Sequence, residues 1–87
     1  MMNVCVVSTF TCTFDVIEAK IKADMEAHGH AFVTAYELIK VHEHKSIFMG
    51  HVTDFEAMGA LMNSPEMKKW DAENGCVDTV YMMEKVS

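Results

Sequence analysis

Arginine is absent from this 87-residue chain, and all seven of its cations are lysines. They stand against 13 acidic residues, for a formal net charge of −6. Such a surface repels phosphate backbones and lacks the forked guanidinium that grips phosphate and guanine. A nucleic-acid partner and an anionic membrane are both disfavoured. Cysteine is sparse and odd in number (Cys5, Cys12 and Cys76), with no CxxC spacing. A small secreted disulfide scaffold would carry an even, denser set. No stretch approaches the roughly 18 apolar residues of a membrane span, and the early apolar run stops at Ser8-Thr9 with no basic segment before it. The simplest reading of these absences is three reduced thiols in a cytoplasmic protein. P-loop, Rossmann glycine run and Gly-x-Ser-x-Gly elbow are all missing, so nucleotide-binding and serine-hydrolase readings have no support.

What is present is a compact-domain composition: 51% hydrophobic and 23% charged residues. The length fits one domain, residues 1–87, that buries only about 60–65% of its unfolded surface and gains from a partner. Residues 3–12 are rich in β-branched side chains and read as a first strand. Thr13 is placed to cap a helix over about 13–28, with Phe14, Ile17, Ile21 and Met25 on one stripe and Gly29 as its stop. Residues 33–42 and 46–53 read as two strands joined by a polar turn at Glu43-His44. Thr53-Asp54-Phe55-Glu56 matches a capping box opening a second helix. Pro65, the only proline, breaks that helix at 63–64 and restarts it over 65–74, with Ser64 as cap and Gly75 as stop. Residues 77–86 make the last strand. The order β-α-β-β-α-β predicts a ferredoxin-like α+β fold, four antiparallel strands with two helices on one face.

Alternation divides each strand into two sets of side chains. With the turn at Glu43-His44, a simple hairpin sets residue 38 opposite 49 and 39 opposite 48. One face then holds Tyr36, Leu38, Ile47, Met49 and His51, and the other Ile39, Val41, Phe48, Gly50 and Val52. Both faces are substantially apolar, and two helices cover only one. A one-sided antiparallel sheet normally alternates hydrophobic-in with polar-out. The uncovered face therefore asks for a partner, most economically the same face of a second copy.

The strand and helix order, the two apolar faces and the path Thr53-Asp54-Phe55-Glu56, Met62-Asn63-Ser64-Pro65-Glu66, Asn74-Gly75 resemble the dimeric α+β barrel superfamily. That group includes cofactor-free monooxygenases of antibiotic biosynthesis, haem-degrading enzymes, muconolactone isomerases and stress-responsive barrel proteins. The resemblance spans nearly the whole chain and implies a homodimer joined through the sheet face, most like the small uncharacterised members. Haem degraders of this group use an Asn on the first strand, a Trp shortly before the Ser-Pro-like break and a His beyond it. Here Asn3 matches only loosely, Leu61 stands where the Trp is expected, Asp71 lies near the His position and Trp70 is displaced. Haem is thus disfavoured and no cofactor is expected. The Asp-His pair of YCII-type relatives has no clear counterpart.

Among the five histidines, His42 and His44 share a polar turn and His28 and His30 flank a helix end. Zinc asks for three or four convergent ligands, so no metal site is expected. His51 stands apart, in an otherwise apolar strand with Tyr36 as its expected cross-strand neighbour. A His51–Tyr36 pair suits acid–base work, or simply satisfies its own polar atoms. Nine methionines are many for this length. They fill irregular cores and also line deformable apolar pockets. The thiols read as structural, Cys76 with a pKa raised at a helix C-terminus.

Three readings follow. The first is a binding module holding a small apolar or amphiphilic molecule, an acyl chain or ring compound, between sheet and helices, with Tyr36, Met49, His51, Phe55, Met58, Met62, Trp70 and Tyr81 as candidate ligand contacts. The second is a cofactor-free monooxygenase or isomerase using His51 and Tyr36. The third is a dimerisation module with no ligand. Pocket lining separates them: Met and aromatic walls favour the first, inward His51 and Tyr36 the second, a water-sized void the third.

Overall fold

The computed structural model describes residues 1–86. Its elements run β1 (Val4–Thr9), α1 (Phe14–Ala27), a single 3-10 turn (Gly29–Ala31), β2 (Val33–His42), β3 (Lys45–Val52), α2 (Phe55–Met62), α3 (Pro65–Asn74) and β4 (Val77–Met82). The four strands form one antiparallel sheet in the order β2-β3-β1-β4. This is the ferredoxin-like α+β arrangement, with the second helix broken in two. No helix among the described residues is long and apolar enough to cross a membrane.

The helix break has a local cause. Ser64 sits in extended geometry and its hydroxyl accepts from the Met67 amide at 3.2 Å, while Pro65 occupies the first turn where no N–H is needed. Gly75 closes α3 in the left-handed region at φ 59°, and the next residue, Cys76, donates its N–H to Asp71 O. A Cβ at Gly75 would meet Thr11 Oγ1 at 2.6 Å, so both conformation and space demand glycine.

Several expected boundaries move. β1 ends at Thr9 because the next amides leave the ladder: Phe10 N–H donates to His44 O, and Thr11 and Cys12 N–H to Asn74 O. β4 ends at Met82, opposite Val4, where β1 itself begins. Asp54, not Thr53, caps α2 by accepting from Ala57 N–H at 3.0 Å; the Thr53 hydroxyl donates to Phe32 O instead. Thr13 precedes α1 in extended geometry without a side-chain cap bond. Gly29 starts the 3-10 turn and does not take the left-handed conformation of a helix stop.

The largest correction concerns register. Leu38 lies opposite Phe48 and Ile39 opposite Ile47, not 49 and 48. The turn is at Glu43-His44 as expected, but irregularities between Val33 and Ala35 and between Lys40 and His42 each put an extra residue into β2. A shift of one reverses which side chains share a face. Val4, Val6, Ser8, Tyr36, Leu38, Phe48, Val52 and Asp78 therefore lie on one face, and Cys5, Val7, Ile39, Ile47, Met49, His51, Thr79 and Tyr81 on the other.

Helices cover the middle of the first face and leave Tyr36, Val80 and Met82 exposed on its edge strands. Val4, Val6, Phe32, Val33 and Val52 form one buried cluster, with Met25, Phe48, Met58, Leu61 and Met62 packed against it. Phe10, Phe14 and Ile17 form a second, joined by Ile21, Leu38, Trp70 and Cys76. Gly50 makes room within this layer: a Cβ there would stand 3.0 Å from Phe48 Cε1, and the Phe48 ring lies across the space to stack on Tyr36 with centroids 5.4 Å apart. On the opposite face no helix lies over the strands; Ile39, Tyr81 and Val77 are 40%, 54% and 64% exposed there, while Cys5, Val7, Ile47 and Met49 are partly buried.

Candidate functional site: an apolar cavity with an acidic end

Between the two buried clusters the sheet and helices form a partly open cavity of about 120 Å³. β1 and β3 supply its floor through Val6, Ser8, Phe48 and Val52. α1 contributes Ile17, Ile21 and Met25, and α2 and α3 contribute Met58, Leu61, Met62, Met67 and Trp70. The wall is almost wholly hydrocarbon, sulfur and aromatic ring. Neither α2 nor α3 buries a residue fully. Methionine is suited to such a wall, since its three rotatable bonds allow it to follow a guest's outline.

The cavity's polar groups gather at one end. Ser8 and Asp78 are cross-strand partners on β1 and β4, and the Ser8 hydroxyl donates to Asp78 Oδ1. The Cys76 thiol donates to the same oxygen at 3.5 Å. Asp71, one turn back from the end of α3, completes the group: ligand atoms of Asp71, Cys76 and Asp78 all lie within 4.8 Å of one another. Burial, followed by the nearby Asp78 carboxylate, holds the Asp71 carboxyl above its ordinary range. Burial, then the Asp78 and Asp71 carboxylates, pushes the Cys76 thiol far above its ordinary range. That thiol stays protonated at neutral pH and is no nucleophile. The raised value expected from its position after α3 is there, but burial and carboxylates are its leading causes. Two carboxylates and a thiol are the donor set nearest to a metal site among the described residues, while His42 and His44 serve the backbone: His44 Nδ1 pairs with Cys12 O at 2.9 Å, and His42 Nδ1 accepts from His44 N–H at 3.1 Å.

At the same end α1 presents Lys20, whose ammonium donates to Asp24 Oδ1 at 3.0 Å and lies 5.7 Å from the Trp70 ring centroid. Both Lys20 and Asp24 line the cavity. Outside, Phe55, Gly59, Asn63, Lys68 and Val80 shape an open depression between α2–α3 and β4. Met58, Met62, Asp71 and Asp78 line both spaces, so the acidic group stands where the depression meets the cavity.

The residues expected from sequence are thereby divided. Met58, Met62 and Trp70 line the cavity, and Phe55 lines the depression beside it. Tyr36 is on the helix-side face but stacks on Phe48 at the margin. Met49, His51 and Tyr81 lie on the opposite face of the sheet. The expected His51–Tyr36 pair is not formed: His51 lies opposite Ala35 and its Nδ1 pairs with Thr34 Oγ1 at 2.7 Å, while Tyr36 lies opposite Gly50. Asn3 is also committed. Its side chain accepts from Val52 N–H at 2.8 Å and donates to Val52 O at 2.9 Å, continuing the ladder where β1 has not yet begun. Ser8, Phe48, Asp71, Cys76 and Asp78 went unnoticed as site residues. A signal for two of them was present, since Ser8 and Asp78 are the polar interruptions in two otherwise apolar strand faces.

Neither protein-family models nor curated proteins give a sequence match. Solved structures do match in shape. SnoaB, a cofactor-independent oxygenase from Streptomyces nogalater, superposes with a TM-score of 0.61 at 11% identity, covering 99% of this chain and 97% of that one. NE2512 from Nitrosomonas europaea, a protein of unknown function, gives 0.56 at 12% identity over 100% and 94%. An antibiotic biosynthesis monooxygenase gives 0.51 at 15% identity over 97% and 99%. At these identities the likeness is one of fold: the chain has the ferredoxin-like α+β fold of the antibiotic biosynthesis monooxygenase-like proteins.

Proposed function

We propose that this chain is a small homodimeric α+β barrel protein that binds a compact, largely apolar molecule between its helices and sheet. One observation carries the reading: a cavity of about 120 Å³ walled by methionine, aliphatic and aromatic side chains. A single water claims about 30 Å³ of liquid volume, and a dry apolar cavity of about 150 Å³ is known to accept benzene. The space is thus too large to be a packing defect for one water and suits one ring or a short acyl chain. A larger guest would require the methionines to move.

The second copy belongs to the other sheet face. Ile39, Val41, Val77 and Tyr81 leave an apolar surface there with no helix above it. Sheet packed on sheet would remove it from water, each Å² of apolar area contributing about 25 cal/mol before the cost of association. A catalytic role through His51 and Tyr36 draws no support, because the two are unpaired and His51 lies on the face away from the cavity.

Native mass spectrometry of the purified protein, incubated with an extract of small molecules, tests the binding reading. Retention of an apolar compound near the size of one ring is the expected result. A spectrum free of bound compounds under all loading conditions would contradict it. Sedimentation at micromolar concentration tests the assembly, with a dimer expected; a folded monomer would refute that part alone.

A further inference from the structure

The cavity's lining is acidic on balance: Asp24, Asp71 and Asp78 stand against the single ammonium of Lys20. Asp71 and Asp78 face its polar end without a cationic partner among the described salt bridges, whereas Lys20, the lysine that lines it, is already held by Asp24 at 3.0 Å. The two carboxylates meet Cys76 within 4.8 Å, and the acceptor oxygen Asp78 Oδ1 already receives the Ser8 hydroxyl and the Cys76 thiol. This end is short of positive charge, with one lysine to three carboxylates along the cavity wall. A carboxylate-headed guest such as a fatty acid would bring another acid beside the partly buried Asp71 and the exposed Asp78, at a Coulombic cost. A protonated amine would neutralise the pair and donate to free carboxylate oxygens, while its hydrocarbon body filled the space between Met25, Met58 and Met62.

We infer that the cavity selects an apolar molecule ending in a protonated amine over one ending in a carboxylate, with Asp71 and Asp78 as the specificity-determining residues. This rests on the cavity being a ligand site, as proposed above.

Three probes of nearly equal size separate the two ideas: toluene, benzylamine and benzoate, titrated at pH 7 and low salt against the full chain with methionine methyl NMR signals as readout. Benzylamine binds at least about tenfold tighter than toluene, the gain expected of a hydrogen-bonded charge, and benzoate binds more weakly than toluene. In the double variant Asp71→Asn, Asp78→Asn, which keeps side-chain size, the benzylamine preference falls to within about threefold while toluene binding persists. Equal affinities, or benzoate binding best, would overturn the inference and leave the cavity reading intact. Binding of none of the three would overturn the cavity reading itself. A preference that survives the double substitution would overturn the assignment to these two carboxylates. Should the double variant not fold, the order of the three probes on the unaltered chain still decides the sign of the selectivity, and Asp78→Asn alone repeats the comparison.

Discussion

Helix α1 and the broken helix α2–α3 rest on the same sheet face, yet they are held to it differently. α1 sends Phe14 and Ile17 into a buried cluster with Phe10, and both side chains are almost sealed from water. α2 and α3 carry no fully buried residue, and every residue of the strand beside them, β4, is exposed. The first turn of α1 belongs to a finished core; its later residues, Ile17 to Met25, join the methionines of α2 and α3 around an unfilled space with carboxylates at its edge. Stability and binding capacity are thereby separated along one sheet. The well-packed half fixes the fold, and the loose half can repack around a guest without unfolding the rest.

Mutations should divide along the same line. Phe14→Ala is expected to cost about 3–4 kcal/mol, a large share of the total stability of a domain this size, measured as the shift of a urea unfolding midpoint. A loss under about 1 kcal/mol would erase the contrast between the halves. Gly75→Ala is expected next, at about 1–2 kcal/mol, because the left-handed conformation is strained for alanine and its Cβ would collide with Thr11. Met62→Ala should cost less than about 1 kcal/mol, since that side chain borders empty space; a Phe14-sized loss would show the loose half to be packed after all. Asp71→Asn should have the smallest effect and an opposite sign. A carboxyl held above its ordinary range is protonated more readily folded than unfolded. Its stabilising contribution is therefore fully present below the unfolded value and lost as pH rises through the folded one. The amide mimics the protonated form, so the variant should melt slightly higher at pH 7, by about 2 °C, with the gain vanishing in acid. A lower melting temperature at pH 7 would mean that the carboxylate is stabilised by a partner.

The contrast also marks where sequence could be read and where it could not. Strand and helix order, the break at Ser64-Pro65 and the stop at Gly75 were legible because capping and proline chemistry act over three or four residues. Register was not, because it depends on how many residues β2 fits against β3. The turn at Glu43-His44 was located correctly, but the extra residue near Val41 moved the pairing by one and exchanged the faces of β3. That exchange carried Met49 and His51 away from the helices and brought Phe48 beneath them. Met58, Met62 and Trp70 were found because helical periodicity does not depend on strand register. The acidic end joins α3, the residue after Gly75, β4 and β1, four places that only the completed fold brings together.

A protein labelled with ¹³C at its methionine ε-methyl groups offers the most direct test of the cavity as a ligand site. On titration with toluene, Met25, Met58, Met62 and Met67 should shift together with one affinity, while Met49 on the far side of the sheet stays in place. Unmoved cavity methyls, or a response confined to Met49, would contradict the account.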